Sequence, residues 1–242
     1  MAACKFVVGV IAVFCFSLYG VEADEQGDLS EFSHTCAVSC SDKISCWGDN
    51  RYGQLGSNNT NLTENQIEMR DVKQITAGFA HTCALKNDGS VSCWGLNGFG
   101  QLGNSFNSGT GTANPNPFDV DVLNVKQITA GTGHTCALKN DGSVSCWGLN
   151  GYGQLGNSLN SGTENATFTP LNVDILNVKQ ISAGGGHTCA LKNDGSVSCW
   201  GNNQYGQLGN SFNSGTETAT FTPLNVDVLN VKQITAGTGH TC

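Results

Sequence analysis

Histidine and cysteine, residue types that can perform acid–base chemistry or bind metals, recur together along this sequence. One fifteen-residue stretch, HTCALKNDGSVSCWG, occurs three times without change. Such residues could serve as general bases, zinc ligands or disulfide partners. A catalytic site needs a few different residues that converge once, so a repeated triplet indicates a structural task. The His-Thr-Cys triplets start at His34, His81, His134, His187 and His240.

The spacing of the cysteines predicts disulfides across β-hairpins. If residues 87–89, Asn-Asp-Gly, form a three-residue turn, the flanking strands pair Leu85 with Val91 and Cys83 with Cys93. The cysteines then form a non-hydrogen-bonded pair with Cα atoms about 4.5 Å apart, which a disulfide can span. Zinc is the alternative, but zinc-binding cysteines usually have about two to four residues between them. The predicted disulfides are Cys36–Cys46, Cys83–Cys93, Cys136–Cys146 and Cys189–Cys199.

Two other cysteines downstream of the leader have no partner in this pattern. Cys40 lies at the tip of the first hairpin, where it is either a free thiol or an intermolecular link. Cys242 lacks a partner because the sequence ends three residues into a fifth copy of the motif. We therefore expect the sequence to be part of a longer chain.

The first 23 residues have the composition of a secretion signal. Lys5 precedes the apolar run FVVGVIAVFCFSLYG, and small residues lead to Ala23. A membrane anchor is the alternative, but it needs about 20 apolar residues and a stop-transfer flank, whereas acidic residues follow here at once. We predict a cleaved signal peptide at 1–23, a short acidic linker at 24–33, and an extracellular protein without a membrane span in its mature chain.

Charge and motif content exclude several functions. The formal net charge is −8, and no cluster of basic residues is present. Nucleic acids and anionic membranes are bound by clustered Lys and Arg, so we expect neither as a partner. The sequence contains no GxSxG, HExxH or P-loop motif. We therefore predict no enzymatic activity, no catalytic residue, no cofactor and no bound metal.

Two kinds of loop residue could carry modifications or ions. Asn-X-Thr sequons in a secreted chain predict N-glycosylation at Asn58, Asn61 and Asn165. Asp119 and Asp121 could contact Ca²⁺, but their spacing is not that of an EF-hand. We expect these carboxylates to be solvated loop charges.

The triplets define a repeat whose successive starts are 47, 53, 53 and 53 residues apart. Such a period is typical of stacked units such as propeller blades, and short apolar runs between Gly and Asn turns are typical of β-strands. We therefore predict an all-β protein with repeats over 34–242. A tryptophan follows the second cysteine of each unit, and we expect it to pack between blades rather than form an exposed binding stripe. These tryptophans are Trp47, Trp94, Trp147 and Trp200.

The pattern HTCALKNDGSVSCWGxNxxGQLG resembles the repeat of the regulator of chromosome condensation family, whose units carry H-x-x-A-L, D-G-x-V, W-G-x-N and G-Q-L-G in this order. The resemblance extends over residues 34–242 and implies a β-propeller with about four complete blades and a partial fifth, part of a seven-bladed ring. The paired cysteines resemble the secreted branch of the family. Unpaired strand edges at the ends of such an open array would allow self-association.

The resemblance and the leader together predict a secreted, disulfide-stapled propeller that binds a protein or a glycan through loops on one face. The predicted contact surface comprises segments 99–117, 152–169 and 205–222, which differ between units while the hairpins do not. The family implies two alternatives. One is a guanine-nucleotide exchange factor for a small GTPase, which the secretion signal opposes. The other is the non-catalytic propeller portion of a longer enzyme such as a ubiquitin ligase.

Overall fold

The short apolar runs between the Gly and Asn turns form β-strands. A computed structural model describes residues 34–39, 43–104, 113–157, 166–209 and 219–242, and within these ranges fifteen strands form four antiparallel sheets. These ranges hold no helix of the length and apolarity that a membrane crossing requires. The predicted all-β class is therefore confirmed.

The strands of each sheet follow one another in chain order, so every sheet is an antiparallel meander. The first sheet contains β1 (His34–Val38), β2 (Lys43–Gly48) and β3 (Glu64–Glu68). The second contains β4 (Val72–Ala77), β5 (His81–Lys86), β6 (Val91–Leu96) and β7 (Ala113–Asp119). The third contains β8 (Val125–Ala130), β9 (His134–Lys139), β10 (Val144–Gly148) and β11 (Thr167–Asn172). The fourth contains β12 (Val178–Ala183), β13 (His187–Lys192), β14 (Val197–Gly201) and β15 (Thr220–Asn225).

Each four-stranded sheet begins before its His-Thr-Cys triplet. The first strand of the second sheet starts at Val72, and the triplet at His81 opens the second strand. The third and fourth sheets likewise begin one strand before the strand that carries the triplet. Beyond β15 a further unit begins, in which Ala236 and Thr241 form an isolated β-bridge. The sheet, rather than the interval between triplets, is therefore the blade of this array.

The central hairpin of each blade has the register that the turn chemistry predicts. In the second blade Cys83 is paired with Cys93, the Lys86 amide donates to the Ser90 carbonyl at 2.9 Å, and Gly89 has a φ of +85°. Glycine suits this turn because the left-handed conformation costs it no steric strain. The structure joins all four predicted cysteine pairs, each with Cα atoms 4.1 Å apart.

The first strands of neighbouring blades lie side by side, β4 next to β8 and β8 next to β12. The Gln74 amide nitrogen donates to the Ile128 carbonyl at 2.8 Å, and the Ile128 amide donates back to the Gln74 side-chain oxygen at 3.0 Å. The corresponding bonds join Gln127 with Ile181 and Gln180 with Ile234. The first strands are therefore innermost. We call the end that carries the Asn-Asp-Gly turns the hairpin face, and the opposite end the loop face.

The hydrophobic core lies between blades as well as within them. Trp147 belongs to the third blade but packs in a cluster with Leu85, Leu102 and Val125. Trp94, Trp147 and Trp200 are fully buried, which confirms inter-blade packing for these three. Trp47 differs, because no blade precedes the first sheet within the described residues, and 46% of its surface is exposed.

Candidate functional site: the loop face

The loop that follows the tryptophan-bearing strand of each blade (β2, β6, β10 and β14) folds through its own side chains. In the second blade, Asn97 Oδ1 accepts a hydrogen bond from the Leu102 amide at 3.0 Å, and Gln101 Oε1 accepts one from the Phe99 amide at 2.9 Å. Between them Gly100 has a φ of +78°. The equivalent asparagine and glutamine bonds recur in the other three blades. The sequence N-x-x-G-Q-L-G therefore encodes one rigid turn per blade.

Each of these loops is also fastened to the following blade. The Gln101 carbonyl oxygen accepts hydrogen bonds from Trp147 Nε1 at 2.9 Å and from Thr135 Oγ1 at 2.8 Å. The Gln54 and Gln154 carbonyls accept the same pair of bonds from their next blades. A carbonyl has two lone pairs, so each is fully used. Each loop is therefore fixed both by hydrogen bonds within itself and by hydrogen bonds from the next blade.

An aromatic side chain projects at the same position from each loop of the second to fourth blades. Phe99, Tyr152 and Tyr205 are 42%, 49% and 63% exposed, and we call these three residues the aromatic row. Each ring lies against a turn of the next blade: a Cβ placed on Gly133 would lie 3.4 Å from Phe99, and one on Gly186 would lie 3.2 Å from Tyr152. Tyr205 has the same relation to the fifth unit. The aromatic row is thus a regular feature of the loop face.

Charge is distributed unequally over the loop face. The loops of the second to fourth blades, over 96–104, 149–157 and 202–209, contain only uncharged residues. The turns at 131–133 and 184–186, which adjoin the aromatic row, are also uncharged. The first blade differs, since Arg51 Nε lies 3.0 Å from Asp49 Oδ1. Within the described residues of these loops, the aromatic row therefore lies among amide, hydroxyl and backbone groups.

The aromatic row coincides with the contact surface predicted from the sequence, because each predicted segment begins at one of its residues. The structure describes the two ends of each segment, and 105–112, 158–165 and 210–218 lie outside the described residues. Asn58 and Asn61, two predicted glycosylation sites, are exposed in the corresponding loop of the first blade. The third, Asn165, lies outside the described residues.

The histidines join neighbouring blades. The distance from His81 Nε2 to Thr135 Oγ1 is 2.9 Å, and matching distances of 2.7 to 3.0 Å occur for His34, His134 and His187. Because each threonine hydroxyl uses its single hydrogen in a hydrogen bond to a glutamine carbonyl, the histidine Nε2 must be the donor to the threonine oxygen. Burial lowers the pKa of His81 to about 3. These rings are therefore neutral connectors rather than general bases.

The remaining predicted residues are placed as follows. Cys242 is exposed as a free thiol, and Cys40 lies outside the described residues. Asp119 ends β7, where its carboxylate accepts from Ser92 Oγ at 2.5 Å and lies 3.5 Å from Lys86 Nζ. Asp121 is exposed. In the described part of the chain, His, Cys, Asp and Glu do not gather in threes to form a metal site.

Blades that follow each other in the chain, with innermost first strands and loops fastened from blade to blade, define the class of protein as a β-propeller. The family model of the RCC1-like domain matches residues 30–242, and the chain belongs to this family. The resemblance seen in the HTCAL, CWG and GQLG motifs is thereby confirmed.

Two curated relatives illustrate the match. The chain is 34% identical over 137 residues to the ultraviolet-B receptor UVR8 of Arabidopsis thaliana, which covers 52% of this chain and 29% of the receptor. It is 37% identical over 139 residues to protein pim1 of Schizosaccharomyces pombe, which covers 51% of this chain and 26% of pim1. This chain thus matches less than a third of the length of either relative.

Among solved structures, that of Prp20p from Saccharomyces cerevisiae superimposes with a TM-score of 0.76. The two are 23% identical, and the match covers 85% of this chain and 52% of Prp20p. This likeness establishes the shared propeller fold.

Proposed function

We propose that this protein is a secreted binding module that holds a partner protein on its loop face. The proposal rests on the aromatic row, in which three half-exposed rings lie on loops that are fixed by hydrogen bonds to the next blade. Aromatic side chains supply large contact areas at a low cost in conformational entropy, and they anchor many protein interfaces. A rigid loop has little further freedom to lose on binding, which favours affinity.

Secretion is supported by the cysteine chemistry. Disulfides form and persist in oxidising compartments, and here one staples the central hairpin of every blade. The signal-like leader and the exposed sequons at Asn58 and Asn61 agree with this route. Prp20p, whose structure was reported with its binding properties to Gsp1p and histones, is an example of a protein-binding member of the same fold.

The experiment for protein binding is site-specific photocrosslinking. The cross-linkable residue p-benzoylphenylalanine is placed at Tyr152 or Tyr205, and the protein is incubated with extracellular fluid from its source. We expect one partner to form adducts at both positions. The matched control carries the same residue at Leu176, which is 67% exposed on the hairpin face. Equal adducts at Leu176, or none at either tyrosine, would contradict the assignment to the loop face.

A glycan is the second candidate, favoured by the absence of charge around the aromatic row in the described loops of the second to fourth blades. Sugar rings stack on aromatic faces and hydrogen-bond to amides and hydroxyls, the groups that surround the row. The test is a glycan array probed with the wild type, with a Tyr152→Ala and Tyr205→Ala variant, and with a Leu176→Ala and Leu229→Ala control. Glycan binding at the aromatic row predicts a signal that the wild type and the leucine control both give and that the tyrosine variant loses.

Secretion itself is tested by expressing the full sequence in eukaryotic cells and weighing the product before and after reduction and alkylation. We expect the protein in the medium, starting after residue 23 and carrying four disulfides. Retention in the cytosol with reduced cysteines would exclude the secreted module and would favour an intracellular role such as nucleotide exchange.

A further inference from the structure

A lysine occupies the same irregular position in the first strand of the second, third and fourth blades. In β4 the register shifts between Val72 and Gln74, so that Lys73 has no partner across the ladder. Lys126 and Lys179 occupy the matching bulges of β8 and β12. A bulge leaves one residue unpaired and re-aims its side chain. Lys232 stands at the equivalent place in the fifth unit.

These four lysines lie at the inner edge of the hairpin face. Lys73 Nζ is 3.2 Å from the Lys126 carbonyl oxygen of the next blade, and Lys126 Nζ is 3.5 Å from the Val178 carbonyl, next to Lys179. The ammonium groups of Lys73 and Lys126 therefore lean along the array towards the next lysine. Because the first strands are innermost, the positive charges follow the centre of the propeller. We call Lys73, Lys126, Lys179 and Lys232 the inner lysines.

No carboxylate pairs with the inner lysines within the described residues. Lysines farther out are satisfied differently: Lys43 and Lys86 pair with acidic groups at 3.4 and 3.5 Å, whereas Lys139 and Lys192 bind asparagine oxygens at 3.2 and 3.1 Å. The left-handed residue two positions before each inner lysine is acidic once, at Asp71, and is asparagine in the later units. The inner lysines therefore form a row of positive charges without an ion pair in the described part of the chain, on a face whose hairpin turns carry the exposed aspartates Asp88, Asp141 and Asp194.

Lysines that follow one another in neighbouring units repel each other locally, and an anion would relieve that repulsion. Neighbouring like charges cost free energy, and a ligand that lies between them converts that cost into attraction. Lysine binds phosphate, sulfate and carboxylate groups as a compact point charge with three donors. A ligand with several such groups can contact consecutive blades.

We propose that the inner lysines form a binding site for a small polyanion with at least two phosphate, sulfate or carboxylate groups. The site lies on the hairpin face and is separate from the aromatic row. It uses the innermost strands, which the contact surface predicted from the loops does not include.

The test is isothermal titration of the intact secreted protein with sodium tripolyphosphate at low salt, with citrate as the carboxylate arm. We expect binding that weakens as salt is added, since the contact is ionic. A Lys126→Gln and Lys179→Gln variant should weaken the binding at least about tenfold, because it removes two charge-assisted contacts. A Lys126→Arg and Lys179→Arg variant, which keeps the charge, should retain most of the affinity.

The matched control is a Lys139→Gln and Lys192→Gln variant, which changes the net charge equally on the same face. We expect it to bind tripolyphosphate like the wild type. The thermal midpoint of each variant establishes that it is folded, and Lys179→Gln alone, at an exposed side chain, replaces the double variant if that one unfolds. Failure of the wild type to bind either anion at millimolar concentration, or an equal loss in the control, would overturn the proposal.

Discussion

His81 Nε2 lies 2.9 Å from Thr135 Oγ1, across the boundary between the second and third blades. The threonine hydroxyl donates a hydrogen bond to the Gln101 carbonyl, which also accepts one from the Trp147 indole. One histidine therefore connects to a chain of hydrogen bonds that spans two blades and reaches a loop of the candidate binding face. Its other ring nitrogen, Nδ1, is buried with no hydrogen-bond partner among the described residues. This buried arrangement therefore favours the neutral form of the imidazole over the protonated form.

Replacing the shared threonine should destabilise the array. Thr135→Val keeps the shape of the side chain but leaves the His81 Nε2 proton without an acceptor in a buried site. We expect a loss of about 1–3 kcal/mol in the free energy of unfolding. The control is Thr132→Val, three residues earlier at an exposed position, which should change stability by less than about 0.5 kcal/mol. Urea unfolding measures the stability of both variants. Equal losses would contradict a stabilising role for the hydrogen bond between His81 and Thr135.

The same histidines predict acid sensitivity. Burial lowers the pKa of His81 and His134 to about 3, and that of His34 and His187 to about 4. A histidine in the unfolded chain titrates near 6.5, so the unfolded state takes up protons that the folded state excludes. The stabilisation is therefore fully present above about pH 6.5 and is lost as the pH falls towards the folded pKa values. The loss can reach about 1.4 kcal/mol per pH unit for each histidine.

This effect is measured as the free energy of unfolding between pH 7 and pH 5, where most carboxylates remain ionised. Stability should fall steeply over this interval. His134→Gln, which cannot protonate, should reduce the slope by about one histidine's share. A flat profile between pH 7 and pH 5 would show that the rings are not held neutral in the folded protein.

The local structure could be predicted from the sequence because short-range rules determine it. The Asn-Asp-Gly turn sets the register, and the register brings Cys83 opposite Cys93. Such a pairing needs no knowledge of the rest of the chain. The expectation that a repeated tryptophan packs between blades is confirmed for Trp94.

The relations between blades could not be predicted in the same way. The blade starts at Val72 rather than His81 because Gln74 binds the backbone of Ile128, more than fifty residues away. Trp47 has the same local sequence as its counterparts but no preceding blade within the described residues, and its exposure follows from that neighbourhood. The recurring lysine of V-K-Q was visible in the sequence, yet its place at a bulge on the inner edge required the sheet.

The disulfides should contribute stability blade by blade. A Cys136→Ala and Cys146→Ala variant opens one closed loop of the unfolded chain, and we expect a loss of about 2–3 kcal/mol. The loss arises mainly because the unfolded chain gains freedom, so the hairpin itself should remain. Cys242→Ser, which removes the exposed free thiol, serves as the control and should leave stability unchanged. Thermal unfolding under non-reducing conditions compares the two, and an equal midpoint would contradict a stabilising role.

The rigidity of the loop face depends on glycines that accept close contact with the next blade. Gly153 has a φ of +77°, and a Cβ there would lie 2.5 Å from the ring of Phe221 and 2.7 Å from the Thr220 carbonyl oxygen. Gly151, two residues earlier in the same loop, has open space around it and no positive φ. Alanine substitutions at these two positions therefore distinguish the loss of stability caused by a strained contact from the loss caused by any change in the loop sequence.

Gly153→Ala should lower the free energy of unfolding by at least about 2 kcal/mol, since it combines a left-handed alanine with an overlap against backbone. Gly151→Ala should change it by less than about 0.5 kcal/mol. Tyr152 lies between the two glycines. Gly153→Ala should therefore also weaken photocrosslinking from position 152, and it should weaken photocrosslinking from position 205 less. Gly151→Ala should affect neither. Denaturant unfolding and crosslinking yield are the measurements. Similar behaviour of the two variants would mean that the loop is not held against Phe221 and Thr220.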